Sequence, residues 1–416
     1  MVAGSASRNL TILMGYLFFE NVSIGFIFPL LGPLFYDDVN GLFNPTYSQS
    51  IRQILFGVLL TATATATLIT APFWGMFSDK FGRKPILLIG VSLLCIGFFL
   101  SGVSTLYKNY ILFFLGQLIV AASIGTGALV FAAIIDTSTE ESKPKNIGKI
   151  GISICLGMLT GPLLSGVLSS ISLLHLSKFT LPFYCVTLLC ILNLSLVALF
   201  FDPSFHPIKS TEHSKSQTIK NRIFNLVFGE NKNIRLILLI FFIYICGFEI
   251  FFNYSVLFLV TVHHFSSVDI STLMVIVMIG YILNLSLIYP LMVEKINIIS
   301  LMKYCFVTVS VFFTIMLFFL NNVMFYVFLF IIFNANGILN SVFFLHYTDM
   351  VPENTRGLAM GILGSMNSMT TALAGGLIAC FSAIPYLGMY LMAALWIIIA
   401  TLLLTCSAYP KKLDRN

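Results

Sequence analysis

Two glutamates stand apart from every other acid in the chain. Of the 16 Asp and Glu residues, all but Glu20 and Glu249 lie in polar stretches or at the ends of apolar runs. Glu20 is about 11 residues into its run and Glu249 about 15, which places them roughly 16 and 22 Å deep at ~1.5 Å per helical residue. An ionised carboxylate in hydrocarbon is costly, so an acid at that depth faces a polar cavity or keeps its proton. The chemistry open to such groups is proton loading and release, or the holding of a cation. The bland reading is a protonated glutamate that only bonds neighbouring helices. No Lys or Arg lies at comparable depth, which favours cationic or neutral ligands over anions. Tyr16, Gln117, Asn253, Asn284, Asn336, Asn340 and His346 are the other buried polar candidates for lining a ligand cavity. Asn253 follows Glu249 by one turn, and Asn336 and Asn340 share a helix face by their i,i+4 spacing. Each of these serves equally well as an interhelical hydrogen bond. His346, near the end of its run, could titrate.

The elements that must position these residues follow from composition. The chain has 416 residues, 58% hydrophobic and 9% charged, against about 25% charged in an average soluble domain. No soluble core hides that much apolar surface, which excludes a soluble enzyme, a disordered chain and a nucleic-acid binder. Twelve apolar segments can be read, at about 9–33, 53–78, 85–104, 108–135, 147–170, 179–200, 234–262, 268–292, 298–320, 323–348, 356–381 and 384–408. Twelve spans of about 20–25 residues use about 240–300 residues and leave only short loops. The expected fold is therefore an all-α membrane protein with 12 transmembrane helices. Residues 1–200 form a first six-helix half, 201–233 a polar linker and 234–416 a second half.

Orientation comes from Lys and Arg. Of 22 basic residues, 19 fall on one side of the twelve-span map, and only Arg52, Lys108 and Lys178 fall on the other. The asymmetry puts both termini and the linker in the cytoplasm. The halves also echo each other: Gly151 and Gly166 recur as Gly361 and Gly376, each 210 positions later, and the loop after span two has a degraded copy at Pro290–Asn297. Such duplication predicts two pseudo-symmetric halves with a ligand site near the midplane. There is no G-x-x-x-x-G-K-[ST] phosphate loop and no nucleophile–base arrangement, so neither ATP drive nor enzymatic activity is expected. The eight cysteines lie in apolar runs and read as small core residues. His263-His264 lacks companions at metal-ligand spacing, and neither a metal nor a cofactor is expected.

The loop Gly75-x-x-x-Asp79-x-x-Gly82-Arg83-Lys84 resembles the signature loop of the major facilitator superfamily. Span five, Gly148-x8-Gly157-x3-Gly161-Pro162-x2-Ser165-Gly166, resembles the antiporter motif of its 12-span drug:proton branch. Span one, from Glu20 through Gly25 and Pro29 to Pro33, is similar to the tetracycline-exporter type, where an aspartate is usual at the Glu20 position. The resemblance implies the major facilitator fold in a cytoplasmic (inner) membrane, with a single chain as the working unit. It implies a secondary transporter exporting a small amphipathic or cationic compound in exchange for protons. It also implies a conformational latch of Gly75, Asp79, Gly82, Arg83 and Lys84 with Asp136, in which Asp79 caps the start of span eleven. Gly157, Gly161, Pro162 and Gly166 would bend span five. Gln117 stands where drug antiporters carry an arginine, and Gly97 where tetracycline exporters carry a carboxylate. Tetracycline is therefore not the expected substrate, and a proton symporter importing a nutrient or siderophore is the alternative. Glu20 is expected to carry the proton and Glu249 to hold substrate or assist coupling, or the reverse. A topology reporter inserted at residue 215 should read cytoplasmic and one at residue 45 external; a cytoplasmic reading at 45 would break the twelve-span map.

Overall fold

The structure, a computed structural model, describes residues 2–127, 129–130, 133–134, 143–171, 178–201, 232–316, 318, 322–351, 356–382 and 386–406. Among these residues there is helix and no strand. The helices are α1 (Val2–Tyr36), α2 (Gln49–Phe81), α3 (Arg83–Leu106), α4 (Tyr110–Ile124), α5 (Lys143–Ser169), α6 (Thr180–Phe200) and α7 (Lys232–Thr261). They continue as α8 (Ser267–Lys295), α9 (Ile298–Met316), α10 (Asn322–Met350), α11 (Arg356–Cys380) and α12 (Tyr386–Cys406). Among the described residues, eleven helices are long and apolar enough to cross a membrane, and α4 is a shorter apolar helix. The chain divides into two compact units, one of Met1–Lys209 with Ser255–Met278 and one of Ser210–Tyr254 with Ile279–Asn416. The linker expected at 201–233 lies almost wholly outside the described residues.

The fourth segment departs from the single long helix expected over 108–135. Its helix ends at Ile124, and Gly125 and Thr126 form a turn before helix resumes at Gly127. Fifteen helical residues reach only about 22 Å, short of a ~30 Å hydrocarbon layer. The Thr126 N–H, which would bond the Ala122 carbonyl in an unbroken helix, turns to Ser123 O instead. A bare carbonyl in a bilayer is costly, and α2 supplies the missing donors. Trp74 Nε1 donates to Ala122 O at 2.7 Å, and Thr67 Oγ1 donates to Ala121 O at 2.9 Å.

α8 is irregular for a different reason. Residues Asn284–Ile288 form a π-turn directly before Pro290. Proline lacks an N–H and its ring crowds the carbonyl four residues back, here that of Ser286. The widened turn makes room for both.

In the first unit α1 packs most extensively on α5. A methyl group added at Gly157 would sit 2.6 Å from Phe18 O, and one at Gly161 2.5 Å from Val22 O. Only glycine lets the two backbones meet there. Helix α5 is continuous through Pro162. α3 packs on α4 through Gly97 and Gly116, where an added methyl would lie 2.7–2.8 Å from the other glycine's carbonyl.

One end of this unit is closed by the loop after α1. Arg52 is buried and donates to Asp38 Oδ1 at 2.6 Å and to the carbonyls of Phe35, Asn44 and Tyr47. Lys178 pairs with Asp37, and Lys108 Nζ donates to Val39 O. Burial pushes the Asp37 carboxyl up, but Lys178 and the Asn40 and Val39 N–H groups outweigh it and hold the group below the usual carboxylate range. Phe35, Phe43, Phe56 and Tyr110 close an aromatic cluster beneath the loop. At the opposite end, Gly82 takes a φ of +89° in the turn from α2 to α3, which suits a residue without Cβ.

In the second unit α9 packs on α10 and α12. Phe241 stacks on Phe343 at 3.7 Å and Phe251 meets Phe313 edge-on at 4.6 Å. Of the cysteines expected in the core, Cys190, Cys246 and Cys305 are buried, whereas Cys380 and Cys406 are exposed. A bilayer does not penalise an exposed apolar side chain, so apolar surroundings in sequence do not imply a core position.

The repair of α4 is testable. Trp74→Phe keeps the ring and removes the donor to the part-buried Ala122 O, at a cost of about 1 kcal/mol or more. Thermal unfolding of purified protein should show a lower midpoint for Trp74→Phe than for wild type; an unchanged midpoint would mean that the carbonyl does not need Trp74.

Candidate functional site

The first acid sits on α1 against the broken segment. Glu20 is 3% exposed, and its Oε1 has no hydrogen-bond partner. Its Oε2 lies over Gly127, where an added methyl group would be 2.6 Å away. One turn earlier on α1, the Tyr16 hydroxyl pairs with Thr126 Oγ1 at 2.7 Å, and that hydroxyl also donates to Ser123 O. Tyr16 and Glu20 thus bracket the turn at 125–127. The α1–α5 glycine contact fixes the height and rotation of α1, and the break in the fourth segment creates the space that Glu20 fills. Among the described residues, no basic side chain forms an ion pair with this carboxyl.

The second acid is held differently. Glu249 on α7 is half-buried. Its Oε2 accepts from Asn253 Nδ2 at 3.0 Å and from Thr371 Oγ1 on α11 at 2.9 Å. Phe248 and Phe252, its neighbours on α7, pack around Phe333 at 5.5 Å. The arrangement is a carboxyl with two donors beside an aromatic wall, which suits a cation carrying apolar surface.

The remaining candidates divide. Gln117 is buried and donates to Ser101 Oγ at 2.9 Å, while Ser101 donates to Gly97 O; it ties α4 to α3 and is not bonded to Glu20. Asn336 Oδ1 accepts from Tyr244 at 2.8 Å. Asn284, at the start of the π-turn, donates to Asn334 O at 3.1 Å, and its Oδ1 has no partner. Asn340 is half-buried and His346 buried, both on α10. Gly75 has nothing within 4 Å of an added methyl, and Gly166 lies against Ser271. Arg83 donates to Ser78 Oγ, and Lys84 Nζ donates to Ala198 O and Phe201 O at the end of α6. The Asp79 side chain and all of Asp136 lie outside the described residues.

Thr371, Thr126, Asn334, Thr67 and Trp74 emerge only from the structure. Threonine is ordinary in apolar helices, and its bonding partner lies in another helix. The one signal available in advance was Gly125-Thr126-Gly127 itself, a helix-weakening triplet inside an apolar run.

Comparison with known proteins adds to this geometry. A family profile described as the Major Facilitator Superfamily matches residues 13–375. The tetracycline resistance protein of class H from Pasteurella multocida is 31% identical over 167 residues, 40% of this chain and 39% of that protein. The class C protein from Escherichia coli is 29% identical over 235 residues, 54% of this chain and 55% of that one. The quinolone resistance protein NorA from Staphylococcus aureus (strain MRSA252) is 30% identical over 199 residues, 47% of this chain and 46% of that one. The matched stretch therefore spans roughly half of these curated relatives or less. Among solved structures, the nucleoside transporter NupG superposes with a TM-score of 0.76 at 14% identity, covering 95% of this chain and 98% of that one. A D-xylose-proton symporter superposes with a TM-score of 0.74 at 15% identity, covering 96% of each chain. At these identities the likeness shows the fold.

The seat of Glu20 can be checked without reference to activity. Gly127→Ala places a methyl group against Oε2, and overpacking of this kind costs about 1–3 kcal/mol. Gly151→Ala, where nothing lies within 4 Å of the new methyl, is the control. The unfolding midpoint should fall for Gly127→Ala and hold for Gly151→Ala; equal midpoints would remove Glu20 from the break.

Proposed function

The chain belongs to the Major Facilitator Superfamily, and we propose that it is a secondary transporter exporting a small amphipathic or cationic compound in exchange for protons by alternating access. The observation that carries this reading is the contrast between its two membrane acids. Glu20 is enclosed, with one unpartnered oxygen. Glu249 is half-open and supported by Asn253 and Thr371 beside an aromatic wall. An enclosed carboxyl without a fixed counter-charge can carry a proton. A half-open carboxyl with donors on one oxygen can bind a cation on the other. The local similarity to tetracycline and quinolone resistance proteins supports the direction of export.

In this reading the protein lies in the cytoplasmic membrane with both termini inside and works as a monomer. Tyr16 and Thr126 position Glu20 at the break. Asn284, Asn336 and Asn340 contribute polar surface to substrate, and His346 stands toward the cytoplasmic end of α10. The loop of Gly75, Asp79, Gly82, Arg83 and Lys84 acts with Asp136 as a latch, and Gly157, Gly161, Pro162 and Gly166 shape α5 for its movement. Gln117, bonded to Ser101, holds α3 to α4 in place of a coupling arginine.

Transport in proteoliposomes tests the division of labour. Glu20→Gln keeps size and hydrogen-bonding reach but cannot titrate, so gradient-driven transport should be abolished while substrate binding and downhill exchange persist. Glu249→Gln should weaken a cationic substrate by tenfold or more, the loss of one charge-assisted contact at about 1.5–3 kcal/mol, and spare a neutral one. A Glu20→Gln, Glu249→Gln double variant that still concentrates substrate would reject both roles. Accumulation in right-side-out vesicles under an inward proton gradient would replace export by import through symport.

A further inference from the structure

Helix α11 carries the seat of Glu249 one turn further. Thr371 donates to Glu249 Oε2; Asn367 stands four residues before it in sequence and Gly364 seven. At about 100° per residue the three fall within about 60° of one another round the helix. Met369 and Leu373, both exposed, stand two residues either side of Thr371, which puts them about 160° from it. Exposed apolar side chains on a membrane helix mark its lipid face, and the Thr371 line is on the opposite one. Nothing lies within 4 Å of a methyl group added at Gly364, so that line borders open space and not a packed neighbour. Glu249 and α11 belong to the same compact unit.

Asn367 is uncommitted on that face. Its backbone carbonyl accepts from the Thr370 and Thr371 hydroxyls, but its half-buried side chain bonds no other group among the described residues. The polar side chains near it are in use. Ser365 and Ser368 donate to the carbonyls four residues back, and Asn253 donates to Glu249. A bare amide in hydrocarbon is costly, and this one is on the face turned from lipid, where it opens on the space that Glu249 borders. It offers both a donor and an acceptor. It stands one turn, ~5.4 Å, along the helix from the threonine that holds the carboxyl. Phe248, Phe252 and Phe333 supply the apolar wall beside Glu249.

We propose that Asn367 is a specificity-determining residue. The cation held at Glu249 carries a hydrogen-bonding group, an amide or a hydroxyl, about one helical turn from its charged nitrogen, and Asn367 binds that group. This rests on the reading of Glu249 as the substrate's anionic contact. It narrows the substrate class from amphipathic cations in general to those with a polar substituent at that spacing.

The test compares two permanent cations on the purified full chain by titration calorimetry. One is 1-benzyl-3-carbamoylpyridinium, whose carboxamide lies at about that spacing from the ring nitrogen. The other is 1-benzyl-3-isopropylpyridinium, of similar shape without hydrogen-bonding atoms. The quantity read is the ratio of their dissociation constants. Wild type should favour the carboxamide relative to Asn367→Ala by about 2–10-fold in that ratio, the worth of one hydrogen bond. Asn367→Leu, close to asparagine in size, should repeat the change without leaving a hole, and unfolding midpoints separate a lost contact from a damaged fold. Glu249→Gln should weaken both probes alike and leave the ratio in place. A ratio that is the same in wild type and both Asn367 variants would overturn the proposal, the amide then meeting only water. Equal loss of both probes in those variants would make Asn367 a packing residue and overturn it too. Wild type that binds neither probe would overturn the substrate class. A Glu249→Gln protein that binds both probes as wild type does, while the Asn367 variants shift the ratio, would reject Glu249 as the cation seat and leave the Asn367 contact standing.

Discussion

Everything in this fold answers to one constraint: hydrocarbon offers no partner to a backbone N–H or C=O. Continuous helix satisfies it along most of the described chain, and at the break in the fourth segment donors come from another helix. Where the fourth segment breaks at Gly125 and Thr126, α2 contributes Trp74 and Thr67 to the exposed carbonyls. Where Pro290 interrupts α8, a π-turn widens the helix and Asn284 reaches to Asn334 on α10. Other polar side chains in the spans are committed to one another, as Gln117 is to Ser101 and Asn336 to Tyr244. That commitment makes the uncommitted atoms informative. Glu20 Oε1 and Ser271 Oγ are two buried groups on which the helices themselves make no demand.

Close packing converts this backbone order into a site. Gly157 and Gly161 bring α5 onto α1 at backbone contact, and van der Waals packing and close approach through small residues hold helices together in lipid, where apolar burial alone gives little. With α1 so fixed, Tyr16 and Glu20 fall one turn apart beside the break. The same span-five glycines that carry the antiporter-like motif therefore place the acid on α1. A side chain added at 157 or 161 would press on the α1 backbone within a turn or two of Glu20.

The fold was legible in the sequence because hydropathy reports directly on the bilayer. The two acids were legible for the same reason, since a carboxyl at that depth needs a reason to be there. What was not legible was local. The fourth segment reads as one long apolar run, and nothing in its hydropathy marks the turn at Gly125-Thr126, because glycine counts there as a packing residue. Gln117 reads as a cavity residue until its partner Ser101 is known. Thr371 is one of two adjacent threonines on α11, and only the fold shows that it reaches Glu249. Hydrogen-bond partners between helices have no fixed sequence spacing, and this is the information a single chain withholds.

The three basic residues on the sparse side of the map carry the argument one step further. Arg52 in the first turn of α2, Lys108 between α3 and α4 and Lys178 ahead of α6 all bond the short loop after α1. That loop holds carbonyls that neither helix nor sheet satisfies, and long cations can reach them while keeping their stems on apolar surface. Lys84 does the same for the last carbonyls of α6 at the opposite end, where a positive charge also complements the helix dipole. Structural need for cations thus arises at both ends of the unit. A need of that kind cannot produce the 19-to-3 imbalance in the sequence. The excess on the crowded side is what remains once such uses are set aside, and it is that excess, not the presence of any single lysine, that supports cytoplasmic termini.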